Sequence, residues 1–126
     1  MIQAMVDVMN FHNACSVPVL DHPEWPAEAR IELRKDILEE EYKELMSAIQ
    51  SRDMVKTADG IADLIYVAIG TALEFGIPID RVWAEVQRAN MAKRDPATGR
   101  VRYREDGKVL KPEGWTPPNI AEIVLR

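Results

Sequence analysis

"DGIADLIYVAIGTALEFG", residues 59–76, decides how this chain is read: it is the most apolar stretch, yet Asp59 and Asp63 sit inside it. Apolar residues fill nearly every side of a helix drawn through it, and Gly76 suits a left-handed C-terminus. The spacing therefore predicts a buried helix over residues 54–75. The apolar run 60–73 contains Asp63 and is shorter than the ~20 residues a membrane span needs. A buried, unpaired carboxylate costs several kcal/mol or gives up its charge. No basic residue follows Lys56 within the helix, so the compensating cation must come from elsewhere.

Working outward, "CSVPVLDHPEWP", residues 15–26, holds three prolines and breaks the chain. Pro26 suits the first turn of a following helix, where its missing N–H costs little. Before the break, Ile2, Met5, Val6 and Met9 predict a short amphipathic helix over residues 2–13. After it, a long helix is expected from Ala27 to about Ser51, with Ile31, Leu38, Tyr42, Leu45 and Ile49 on one stripe. A fourth helix follows "GIP", running from Ile79 or Asp80 to Lys93, with Val82, Trp83, Val86 and Asn90 near one face.

Beyond residue 94 the character changes. "DPATG" signals a turn, "RVRYR" alternates, and "EDG" before "KVL" reads as the tight turn of a small β-ribbon. "KPEGWTPPNI" is expected to be an irregular tail that lies against another surface. The fold class is all-α: one domain over 1–126, with a helical core at about 1–94 and a ribbon and tail at about 95–126. Such a four-helix unit leaves apolar surface for oligomerisation to cover.

The 126 residues are enough to bury roughly two thirds of the unfolded chain's surface. The single cysteine, Cys15, excludes an internal disulfide, and "MIQAMVDVMN" lacks the basic start and apolar run of a secretory signal. The expectation is a cytoplasmic protein without a membrane span. A net charge of −5 argues against nucleic-acid polymers as partners, because backbone affinity needs clustered Lys and Arg. A small anionic ligand held through metal ions is compatible with an acidic chain.

The second helix carries "EEEYKEL", residues 39–45. At 100° per residue, Glu39, Lys43 and Asp36 point away from the apolar stripe and can be solvated. Glu41 and Glu44 instead share an arc with Leu33, Ile37 and Ala48, and face inward or line a cleft. Glu40 lies at the edge of that arc, one turn from Glu44. Carboxylate pairs on facing helices are how bundles build oxygen-rich metal sites. Neither helix has His or Cys, so the donors are hard oxygens, favouring Mg²⁺ or Mn²⁺ over zinc and over a Glu-x-x-His di-iron site. The alternative is that these acids form buried salt bridges with Arg34, Arg88 or Lys93.

The arrangement Glu40-Glu41-x-x-Glu44, a gap, then an acidic pair ending in Asp63 resembles the MazG-like all-α nucleoside triphosphate pyrophosphohydrolases. That superfamily includes phosphoribosyl-ATP pyrophosphohydrolase and dimeric dUTPases. "FHNACSVPV", "ADGIADLIYVAIGTALEFGIP", "NMAK" and "DGKVLKPEGWTPPNI" extend the similarity over nearly the whole chain, closest to small stand-alone members. The resemblance implies Mg²⁺-dependent cleavage of a (d)NTP between the α and β phosphates, with Mn²⁺ able to substitute. It implies Glu41, Glu44 and Asp63 as metal ligands and Glu40 as the group that activates water. The pattern usually has Glu three residues before that aspartate; here Gly60 stands there, and Asp59, one residue away, takes the ligand's place.

Asn90 and Lys93 match an Asn-x-x-Lys that helps hold substrate in relatives, and Lys108 and Lys111 are candidate triphosphate contacts. Asn10, His12 and Asn13 are candidates for reading a base edge, with Phe11 and Trp25 packing against it; core aromatics and a structural histidine are the ordinary alternative. Relatives assemble as homodimers or homotetramers. Competing readings are a non-catalytic metal- or nucleotide-binding helical module and phosphoribosyl-ATP hydrolysis.

Overall fold

The structure, a computed structural model, describes residues 2–125; the Ile2 side chain of the expected first stripe lies outside what is described. Its elements are α1 (Ile2–Ala14), α2 (Glu28–Gln50), α3 (Met54–Glu74), α4 (Ile79–Met91), β1 (Arg102–Tyr103), β2 (Val109–Leu110) and α5 (Ile120–Val124). The chain is all-α with a short strand ribbon, as its apolar periodicities predict. It divides into two compact units, Met1–Ile79 and Asp80–Arg126, so α4 groups with the ribbon and tail. No single helix among the described residues is long and apolar enough to cross a membrane.

In the first unit α3 packs against both α2 and α1. Asp53 starts α3 by accepting a hydrogen bond from the Lys56 backbone N–H at 3.0 Å, a cap worth about 1 kcal/mol. Gly76 ends it at φ +68°, and a Cβ there would run into the His22 carbonyl, so both handedness and space require glycine. The proline-rich loop lies along this end, with Leu20 N–H on the Leu73 carbonyl and Glu24 N–H on that of Phe75. Val8, Ile69 and Leu73 form the apolar centre, wrapped by Ala4, Met5, Met9 and Val19.

A buried charge network stands beside that centre. Arg30 Nε donates to Glu74 Oε1 at 2.6 Å, and Arg34 Nε lies 3.3 Å from Glu74 Oε2 without hydrogen-bond alignment. Arg34 also donates to the Thr71 hydroxyl and to the Val67 carbonyl. Glu74 and Arg34 are both buried, and removing either would leave the other a buried side chain without its ion-pair partner.

The face that α2 turns to α3 differs from the expected stripe. Its buried residues are Arg34, Leu45 and Ala48, while Tyr42 and Ile49 of the expected stripe are 53% and 40% exposed. Leu45 of that stripe is the residue that meets α3, where a Cβ on buried Gly60 would sit 3.3 Å from the Leu45 Cα, and Ile31 and Leu38 are half-buried.

In the second unit the tail lies on α4. Trp115 donates its indole N–H to the Ala89 carbonyl at 2.8 Å, and Glu85 accepts from the Asn119 N–H at 3.0 Å while pairing with Arg88. The ribbon is antiparallel with Tyr103 opposite Val109, and Gly107 supplies its turn at φ +84°. The tail expected to be irregular ends in α5, whose N-terminus is capped by Asn119.

Candidate functional site

The inner arcs of α2 and α3 bring Glu40, Glu41, Glu44, Asp59 and Asp63 into one electrostatic neighbourhood. Glu44, Asp59 and Asp63 line a cleft of about 360 Å³ together with Ser47, Ser51 and Lys56. Glu41 is half-buried beside it, and its Oε2 is shut off from water with no hydrogen-bond donor among the described residues. Its carboxyl is held above the ordinary glutamate range, first by burial and then by the charges of Glu44, Asp63, Glu40 and Asp59. All four other candidate acids thus act on this one carboxylate.

The salt-bridge alternative does not occur among the described residues. Arg34 pairs with Glu74, Arg88 with Glu85, and Lys93 Nζ donates to Asn90 Oδ1 at 3.1 Å. Glu39 pairs with Lys43 at 2.7 Å on the solvated side, as its position on the helix requires.

One expectation is corrected. Asp59 and Asp63 are not sealed in apolar surroundings: Asp59 is exposed, as are Glu40 and Glu44, and Asp63 is half-buried. The neighbouring Ile61 and Ile65 are themselves 47% and 51% exposed, because α1 and α2 cover only part of α3. Of these five acids, only Glu41 has a carboxylate oxygen shut off from water without a hydrogen-bond partner among the described residues.

As the side chains stand, no three acids among the described residues converge closely enough to hold an ion. The donor set nevertheless fits a hard divalent cation. It consists of carboxylate oxygens, one of them buried and unsatisfied, and Glu44 and Asp59 are exposed and free to turn. A Cβ at Gly60 would lie 3.3 Å from the Leu45 Cα, Cβ and Cδ1, so the glutamate of the usual pattern would fit only if Leu45 gave way by a few tenths of an ångström.

Of the substrate-site candidates, Asn90, Lys93 and Lys111 come together around Trp115 in the second unit, with Lys111 Nζ 4.5 Å and Lys93 Nζ 5.6 Å from the ring centroid. Lys108 follows the ribbon turn, its backbone N–H bound to Asp106, and has no contact with that ring. Asn10 and Asn13 are exposed on α1. His12 is only 5% exposed and packs against Gly70 and Arg34, so it faces the interior and not a base arriving from solvent. Phe11 meets Tyr66 edge-on at 5.9 Å, and Trp25 lies 5.4 Å from Phe75.

Sequence reasoning passed over Glu74 and Trp115. Glu74 stands in the last turn of an apolar helix, where an acid opposes the helix dipole and calls for a cation. Trp115 in a tail of prolines and lysines calls for an acceptor for its indole N–H.

Comparison with known families finds a match to the phosphoribosyl-ATP pyrophosphohydrolase profile over residues 3–90. No curated protein matches the chain significantly.

Proposed function

For a chain that belongs to the phosphoribosyl-ATP pyrophosphohydrolase family, within the MazG-like all-α superfamily, we propose hydrolysis of a (deoxy)nucleoside triphosphate between its α and β phosphates. Membership makes the chain a pyrophosphohydrolase. The observation that carries the finer reading is the Glu41 carboxylate, which has one oxygen unsatisfied and stands near four acids, with no base paired to it among the described residues.

Glu41, Glu44, Asp63 and Asp59 would hold Mg²⁺, and Mn²⁺ suits the same oxygens. Bound there, the metal neutralises charge on the phosphate oxygens. Glu40, exposed at the edge of the cluster, accepts the proton of a water that attacks the α phosphorus; the α–β bridge breaks and pyrophosphate leaves. Lys93 and Lys111, in the second unit, are proposed contacts for the triphosphate.

Hydrolysis of phosphoribosyl-ATP is the second reading, favoured by the family match and using the same bond and acids. Gly60 in place of the pattern's Glu, and a lysine-bearing tail outside the matched residues, favour the simpler nucleotide. The exposed Ile61, Ile65, Tyr42 and Met46 support assembly as a homodimer or homotetramer.

Pyrophosphate release from canonical and modified (d)NTPs and from phosphoribosyl-ATP, with Mg²⁺, Mn²⁺ or chelator, tests this reading. Metal-dependent release from a nucleoside triphosphate is expected. Release from phosphoribosyl-ATP alone favours the second reading, and metal binding without any release favours a binding module.

A further inference from the structure

Arg34 reaches across from α2 and closes a ring of hydrogen bonds on one face of α3. Its Nε donates to the Thr71 hydroxyl at 3.1 Å, its Nη2 donates to the Val67 carbonyl at 2.9 Å, and the Thr71 hydroxyl donates to that same carbonyl at 2.8 Å. Arg34 is only 6% exposed and lies against Glu74, which Arg30 of the same helix also holds.

A buried ion pair is weak evidence for stability, because apolar side chains of similar volume serve a core as well; its best-attested use is to fix register. The rest of this helix pair specifies register less sharply. Leu45 against Gly60 is an apolar contact with a residue that has no side chain, and such a contact has no direction. Sliding α3 by one residue moves it about 1.5 Å along its axis, enough to break both bonds from the planar guanidinium.

The carboxylates are placed between these two contacts. Glu41 follows Arg34 by two helical turns and Asp63 precedes Val67 by one, so on each helix the acid shares a face with the clamp. Glu44 is next to Leu45, and Asp59 is next to Gly60. No three acids among the described residues converge as the side chains stand, so the setting of one helix against the other decides whether they meet around an ion. A misplacement of about 1 Å is enough to cost a site on the order of 10²-fold.

We propose that Arg34, seated on Thr71 and Val67, is the positioning residue of the acid cluster: it fixes the register of α2 against α3 and so the distances at which Glu41 and Glu44 meet Asp59 and Asp63. The role rests on the metal reading of those acids, and it is measurable without substrate.

The test uses the full chain without nucleotide and Mn²⁺ alone as probe, with free Mn²⁺ read by electron paramagnetic resonance and melting temperature read beside it. Arg34→Lys keeps a cation for Glu74 but has no fork to span the hydroxyl and the carbonyl; Thr71→Val keeps the ion pair and removes the hydroxyl. Each should weaken Mn²⁺ binding by about fivefold or more, as loss of a group that orients ligands does. Thr71→Ser should restore binding to within about twofold. Val8→Ala, which removes buried contacts with Ile69 and Leu73 on the α1 side, should lower the melting temperature and leave Mn²⁺ affinity within about twofold.

Mn²⁺ affinity indifferent to Arg34→Lys and Thr71→Val, or an equal loss in Val8→Ala, would overturn the role of the clamp alone. An unaltered chain that binds no Mn²⁺ would overturn the metal reading together with it.

Discussion

Glu41 keeps one carboxylate oxygen out of water with no donor among the described residues to meet it, amid four other acids. Removing its charge should relieve repulsion when no cation is present. In chelator, Glu41→Gln is expected to melt roughly 2–5 °C above the unaltered chain, since about 1 kcal/mol moves a domain of this size by a few degrees. With Mg²⁺ it should lose about 100-fold or more of its pyrophosphate release; a lower melting point in chelator would contradict the clustered-charge account. Glu40→Gln should fold normally and lose about 10²–10⁴-fold in turnover, the usual worth of a general base.

The two histidines offer a test of sign. Burial, and next the Arg34 guanidinium, hold His12 below the ordinary histidine value, partly offset by the Pro18 carbonyl and Glu74. The unfolded chain then takes up a proton that the folded one refuses, so this contribution is full above about pH 6.5 and is lost as pH falls toward the lowered value. Exposed His22 is raised, chiefly by its hydrogen bond to Asp21, so its contribution is present at low pH and fades as pH rises through the raised value. Denaturation between pH 5 and 8 should show His12→Gln flattening the loss on acidification and His22→Gln steepening it. Equal slopes in both variants would contradict these assignments.

At the scale of elements, glycines decide how closely the helices meet. A Cβ on Gly70 would lie 2.7 Å from Arg34 Nη2 and 2.8 Å from His12 Nε2, both on buried side chains with little room to move. Gly70→Ala should therefore cost about 1–3 kcal/mol in urea unfolding, outweighing the ~1 kcal/mol that alanine gains over glycine in a helix. Unchanged or greater stability would show that this contact yields easily.

The helix positions were legible from apolar periodicity and from punctuation by Pro26 and Gly76. The facing side of α2 was not, because it is set by Gly60 against Leu45 and by the Arg34–Glu74 pair, which only packing brings together. Helix α5 escaped notice because five residues are too few to show a period. At the candidate site, residue type and the 100° rule pointed to the acids, whereas the exposure of Asp59 depended on how much of α3 its neighbours cover.

At the scale of the whole molecule, one chain leaves Ile61, Ile65, Tyr42 and Met46 open to solvent beside the acids. The proposed homo-oligomer should appear in sedimentation as a dimer or tetramer, and Ile61→Lys with Ile65→Lys should shift it toward monomer; a monomeric unaltered chain would contradict that proposal. The proposed hydrolysis turns on attack by water at the α phosphorus. Hydrolysis of a nucleoside triphosphate in ¹⁸O-labelled water with Mg²⁺, read by mass spectrometry, tests it most directly. Label is expected in the nucleoside monophosphate, with the pyrophosphate unlabelled. Label in pyrophosphate, or stepwise release of orthophosphate, would contradict it.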